Sequence, residues 1–78
     1  MGRIKQVITE TRAVIDDRCN RLGWTFPEAA AVAGIGEKTM RKKCEQPDLF
    51  TGREIRNIAE GMKLNDAQLE VIMKEVFG

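Results

Sequence analysis

TFPEAAAVAGIGEKTMRKKCE, residues 25–45, reads as a helix, a three-residue turn and a second helix with one basic face. Thr25 is placed to cap the first helix, and Glu28 three residues later completes a capping-box pattern. Ala29, Ala30 and Ala33 give that helix a small apolar face that another helix can approach closely. Gly34 ends it, since glycine takes the left-handed backbone of a helix stop without steric penalty. Ile35 supplies one apolar contact in the turn. In the second helix Met40 and Cys44 sit four apart and face inward. Lys38, Arg41, Lys42 and Glu45, spaced 0, 3, 4 and 7, share the opposite face. A helix that packs on one side and carries three cations on the other suits a polyanion, and the expected geometry is a helix in the DNA major groove.

The rest of the chain predicts more helices. Over 4–22, Ile4, Ile8, Thr11, Ile15, Cys19 and Leu22 fall three or four apart, Val7 and Val14 widen the stripe, and Gly23 stops it. Pro27 is tolerated in a first turn whose N–H groups lack intrahelical partners. Residues 46–49 read as a loop. A fourth helix over 51–62 opens on a second capping box, Thr51 with Glu54, with Phe50 stapled to Ile55. Its core face is Ile55, Ile58, Ala59 and Met62. After a short link at 63–65, Asn65 or Asp66 caps a fifth helix whose Leu69, Ile72, Met73, Val76 and Phe77 repeat at 0, 3, 4, 7 and 8. The expected architecture is all-α: one domain over 1–78, a compact bundle of about five helices around a central helix-turn-helix.

Composition excludes several classes. The chain has no serine, histidine or tyrosine, which removes serine–histidine and cysteine–histidine nucleophile systems and the imidazole proton shuttle. Asp16 and Asp17 are adjacent, so on a helix they point about 100° apart and do not converge on one bond. No enzymatic activity and no cofactor are expected. Cys19 and Cys44 form no C-x-x-C pair and have no third ligand for zinc, so both are expected as buried thiols in a reducing cytosol. Met1-Gly2-Arg3-Ile4 does not open a secretory signal, and no apolar run approaches the ~20 residues of a membrane span. The expected location is cytoplasmic. Net charge is only +1, but residues 34–46 carry four cations against two carboxylates, and 63–78 carry two cations against three carboxylates. Local charge sets what a surface attracts.

The run A-x-x-x-G-I-x-x-x-x-M, formed by Ala30, Gly34, Ile35 and Met40, resembles the helix-turn-helix core of the Cro and phage-repressor (xenobiotic-response-element-like) family. Leu22-Gly23-Trp24-Thr25 is similar to the family's x-G-x-T approach. Lys38-Thr39, Pro47 and Phe50-Thr51 are similar to its K-T-x-x-x-x-x-x-x-P-x-x-F-T segment, and Glu54-Ile55-x-x-Ile58-Ala59 continues the pattern. The resemblance covers residues 4–64 and implies a lambda-repressor-like fold in a short prophage-type transcriptional regulator, repressor or activator. Three positions depart from it. Phe26 stands where the family often has a phosphate-touching glutamine, Gly36 replaces a serine or threonine cap, and Lys43 occupies a usually apolar position. The last predicts an unusually exposed end of the recognition helix.

The expected function is therefore sequence-specific binding of double-stranded DNA, with the recognition helix at about 37–45 in the major groove of a pseudo-palindromic operator. Lys38 and Lys42 are the candidates for base edges, because lysine can donate to guanine O6 and N7. Arg41 and Lys43 are assigned to phosphates. Glu37 either meets the helix dipole or accepts from a cytosine amino group. Thr25 and Thr39 can donate to phosphate oxygens, although Thr25 also serves as a cap. Trp24 reads as a packing residue ahead of the cap, and Phe26 lies either beside DNA or in the core. A homodimer is expected through Leu69, Ile72, Met73, Val76 and Phe77, with Val76 and Phe77 at the two-fold axis; the competing arrangement packs that stripe wholly onto helix one. After the recognition helix only about 33 residues remain, too few for a second domain of ~100 residues. Two rivals stay open: an antitoxin that autoregulates and clamps a toxin, and a protein–protein adaptor that has lost DNA binding.

Overall fold

Residues 9–78 are described by a computed structural model, and the expected helical positions 4–8 lie outside them. Helix α1 spans Glu10–Leu22. Its start corrects the expectation of one helix running unbroken from residue 4: Thr9 is extended (φ −82°, ψ 163°). The reason is local chemistry. The Thr9 hydroxyl accepts the Arg12 N–H at 3.0 Å and donates to the Cys44 carbonyl at 2.6 Å, which takes its backbone out of the helix. Helix α2 is Phe26–Ala33 and α3 is Glu37–Glu45. Between them Gly34 takes φ +82°, the left-handed conformation expected there. The stretch read as a loop contains a 3₁₀ turn, Pro47–Leu49. Helix α4 is Gly52–Gly61 and α5 is Asp66–Phe77.

Both expected capping boxes form. The Glu28 carboxylate accepts the Thr25 N–H at 2.7 Å, and Thr51 and Glu54 bond reciprocally at 3.0 and 3.2 Å. A third sits at α5, where Asn65 and Gln68 exchange bonds of 3.0 and 2.8 Å. Each satisfies N–H groups that a helix start leaves unpaired.

The fold is all-α, and no strand occurs among the described residues. Helix α1 packs on α5 and α2, α2 lies between α3 and α4, and α5 reaches the 3₁₀ turn. Ile15, Met40, Ile58, Met62 and Ile72 are fully buried where these helices meet. Each contributes about 1.5–3 kcal/mol by leaving water. Ala29, Ala30 and Ala33 are buried as expected, and they let α2 approach closely. At Gly61 of α4 a Cβ would run into the Val32 side chain of α2.

Polar side chains tie the ends of these helices together. The Glu75 carboxylate accepts the N–H groups of Glu10 at 3.1 Å and Thr11 at 2.6 Å, so α5 caps the start of α1. Arg18 donates from Nε to the Met62 carbonyl at 3.0 Å, closing the end of α4. Burial alone would push the Glu75 carboxyl up, but the bonds from Thr11 and Glu10 outweigh it and hold it below the ordinary value. A carboxyl with a depressed folded pKa stabilises the fold above its unfolded pKa of about 4.5 and loses that contribution as pH falls. Urea melts between pH 6 and 3 should therefore show falling stability for the wild type and a shallower fall for Glu75→Gln. Equal pH slopes would rule out this clasp.

Helix five requires a correction. Ile72 and Val76 are 1% and 8% exposed and belong to the core, so neither is free for a second subunit. Helix α5 turns only part of its stripe outward, with Met73 and Phe77 at 43% and 65% exposure. The apolar arc spanned by positions 0, 3, 4, 7 and 8 is wider than the contact with α1 and the 3₁₀ turn can cover.

Both cysteines are free and buried. Desolvation pushes the Cys44 thiol up from 9.0 to about 12, and it raises Cys19 too. Since the thiolate is the reactive form, native protein at pH 8 should leave both thiols unreacted with a disulfide reagent, and denatured protein should titrate two. The unfolded thiols ionise near 9.0, so stability should also fall as pH rises past that value. Rapid native-state labelling would contradict this burial.

Candidate nucleic-acid interface

Helix α3 is amphipathic by placement. Met40 and Cys44 are completely buried, which fixes its inner side. At 100° per residue, Lys42 and Lys38 then point most directly away from the core, with Thr39 and Glu45 next to them on either side. All four are exposed, and neither lysine forms an ion pair among the described residues.

The successive cations Arg41, Lys42 and Lys43 point in three directions. Arg41 leans toward α2: one Nη lies 2.8 Å from a Glu37 carboxylate oxygen, and its guanidinium sits 5.6 Å from the centre of the Phe26 ring. Lys43 turns the other way. Its Nζ donates to both Glu54 oxygens at 2.7 and 2.8 Å, and its side chain is only 16% exposed. The expectation of an exposed helix end at Lys43 is thereby corrected, and this ammonium is committed to α4 rather than turned to solvent as a phosphate contact. The lysine keeps its stem against the helix interface and meets a carboxylate at the tip. Burial would raise the Glu54 carboxyl; the bonds from Lys43 and Thr51 lower it further than burial raises it.

The remaining candidates divide. Glu37 lies in the first turn of α3 and is paired with Arg41. The Thr25 hydroxyl, although exposed, donates to Glu28 at 3.1 Å. Trp24 is half-buried against the core, as expected of a packing residue. Phe26 also packs partly against the core, and its ring carries a second guanidinium, Arg12 of α1, at 4.4 Å. Asp16 and Asp17 form separate ion pairs four residues apart on α1, with Arg12 and Arg21 at 3.0 Å each. Sequence reasoning left Phe26 either beside DNA or in the core, and it missed Arg12 and Glu54 as neighbours of this helix. Two local signals were present, an aromatic at 26 and a lysine at 43, each in an unexpected slot.

A second surface lies apart from α3. Ile55 and Ala59 of α4 with Leu69, Met73 and Phe77 of α5 line an open apolar groove. Among the described residues, no group of histidine, cysteine, aspartate and glutamate side chains could hold a metal ion, and no helix is long and apolar enough to cross a membrane.

The described residues form an all-helical fold that presents a helix face with two exposed lysines unpaired among the described residues, and an open apolar groove. No family model matches the chain, and no similar curated protein or solved structure was found.

Proposed function

We propose that the protein binds double-stranded DNA sequence-specifically, as a small prophage-type transcriptional regulator with α2 and α3 acting as a helix-turn-helix. The observation that carries this reading is the outward pair Lys38 and Lys42, unpaired among the described residues, on a helix whose opposite side is fully buried. Lysines in that position can enter the major groove and donate to guanine edges. Thr39 lies beside them for a phosphate oxygen, and Arg41 flanks them for another. Selection of bound duplexes from a random pool tests the proposal directly. Enrichment of one pseudo-palindromic motif, with affinity falling steeply as salt rises, is the expected result. Recovery of unenriched sequence, or no retention at low salt, would defeat it.

A single short helix spans about four base pairs, too few for operator-level affinity, so the proposal includes a homodimer. Its contact is Met73 and Phe77, the part of the α5 stripe outside the core, with half-buried Leu69 at its edge and half-sites one helical turn (~34 Å) apart. Sedimentation equilibrium at micromolar concentration should give a dimer for the wild type and a monomer for Phe77→Asp, which places a charge on a side chain already 65% exposed and so spares the fold. A wild type that stays monomeric both free and on the selected duplex would exclude this interface. The groove alone would also suit an adaptor or an antitoxin; either predicts a protein partner, and the adaptor predicts no salt-dependent DNA retention.

A further inference from the structure

Two guanidiniums from different helices meet on one aromatic ring. Arg12 of α1 lies 4.4 Å and Arg41 of α3 lies 5.6 Å from the centre of Phe26, the first residue of α2. Two cations beside one ring repel each other, and their attraction to the ring offsets only part of that. Each cation also has one carboxylate. Arg12 uses Nε alone to reach both Asp16 oxygens, at 3.0 and 3.1 Å, and Arg41 uses one Nη to reach Glu37. A guanidinium has five N–H donors in a planar fork. Both Nη groups of Arg12, with the Nε and second Nη of Arg41, make no hydrogen bond among the described residues. Both carboxylates belong to exposed pairs four residues apart on a helix, an arrangement weak enough to yield to a stronger anion.

We infer that Arg12 and Arg41 form a phosphate clamp, with Phe26 as the positioning residue that holds both guanidiniums. The clamp takes phosphodiester oxygens through the free edges of the two forks, the geometry in which arginine binds phosphate best. It extends the polyanion surface from α3 across α2 to α1. Contact with the ring restrains both side chains before the ligand arrives, so less side-chain freedom is lost on binding. The inference rests on the DNA reading for the source of the phosphate, but the site itself does not require a base sequence.

Two measurements test it. Inorganic phosphate titrated into the protein should shift the Arg12 and Arg41 Nε resonances together and saturably, while the exposed Arg53 and Arg56 serve as controls. Equal shifts at all four arginines would overturn the clamp. On the selected duplex, Arg12→Gln should lower the salt slope by about 0.9 and leave base preference unchanged. Arg12→Lys should restore the slope without restoring full affinity, because it returns the charge but not the fork. Phe26→Leu, which keeps an apolar side chain against the core, should weaken DNA binding without changing base preference; should it unfold, the Arg12 pair decides alone. Wild-type binding with an unchanged slope in Arg12→Gln overturns the clamp and leaves the DNA reading intact. No wild-type binding at any salt overturns the DNA reading, and the phosphate titration then decides the clamp by itself.

Discussion

Gly61→Ala is expected to destabilise the protein by about 1–3 kcal/mol, although glycine to alanine within a helix ordinarily gains up to about 1 kcal/mol. The new methyl would occupy space filled by the Val32 side chain where α4 packs on α2. Val32 cannot step aside cheaply, because a β-branched residue in a helix has one strongly preferred rotamer. The helices must then part, and the contacts of Ala29, Ala33, Ile55 and Ile58 loosen with them. In a domain of this size each kcal/mol lowers the melting temperature by roughly 4–8 °C. Val32→Ala should recover much of the loss in the double variant, since it opens the space that the methyl needs. A Gly61→Ala melt at or above the wild type would show that α2 and α4 do not meet there.

How much of this was legible in the sequence depends on how far each interaction reaches. Thr25 with Glu28 and Thr51 with Glu54 could be read because both partners of a capping box lie within one helical turn. The turn at Gly34 could be read because its left-handed backbone favours glycine. Thr9 falls inside the helix that periodicity predicts over 4–22, because the carbonyl that draws it out belongs to Cys44, 35 residues away. Lys43 was read as a free cation for a similar reason. Its partner Glu54 lies across a 3₁₀ turn, and that residue already had a legible local duty as a cap. The α5 stripe shows the limit of periodicity. The pattern placed five apolar residues on one side of a helix, but the partners of that helix decide which of them enter the core. Glu75 joins α5 to α1, Ile72 and Val76 go inside, and Met73 and Phe77 are left facing the groove. The meeting of Arg12 and Arg41 at Phe26 needs three helices at once and has no local signature.

Replacing Lys38 and Lys42 together by alanine should weaken binding to the selected duplex by about 2–6 kcal/mol, a loss on the order of 30-fold or more. Both side chains are exposed and unpaired among the described residues, so their removal breaks no contact that holds α3 in place. The variant should melt close to the wild type, and its remaining affinity should show relaxed preference at two positions of each half-site. Lys43→Gln is the informative contrast. That lysine is spent on Glu54, so its loss should leave the salt slope and base preference unchanged, while the partly buried Glu54 loses its partner and the melting temperature falls. A basic surface acting only through its total charge would respond alike to all three lysines. Should Lys43→Gln reduce affinity as much as Lys42→Ala at equal stability, or should the Lys38/Lys42 variant bind undiminished, α3 would not be the element that reads DNA.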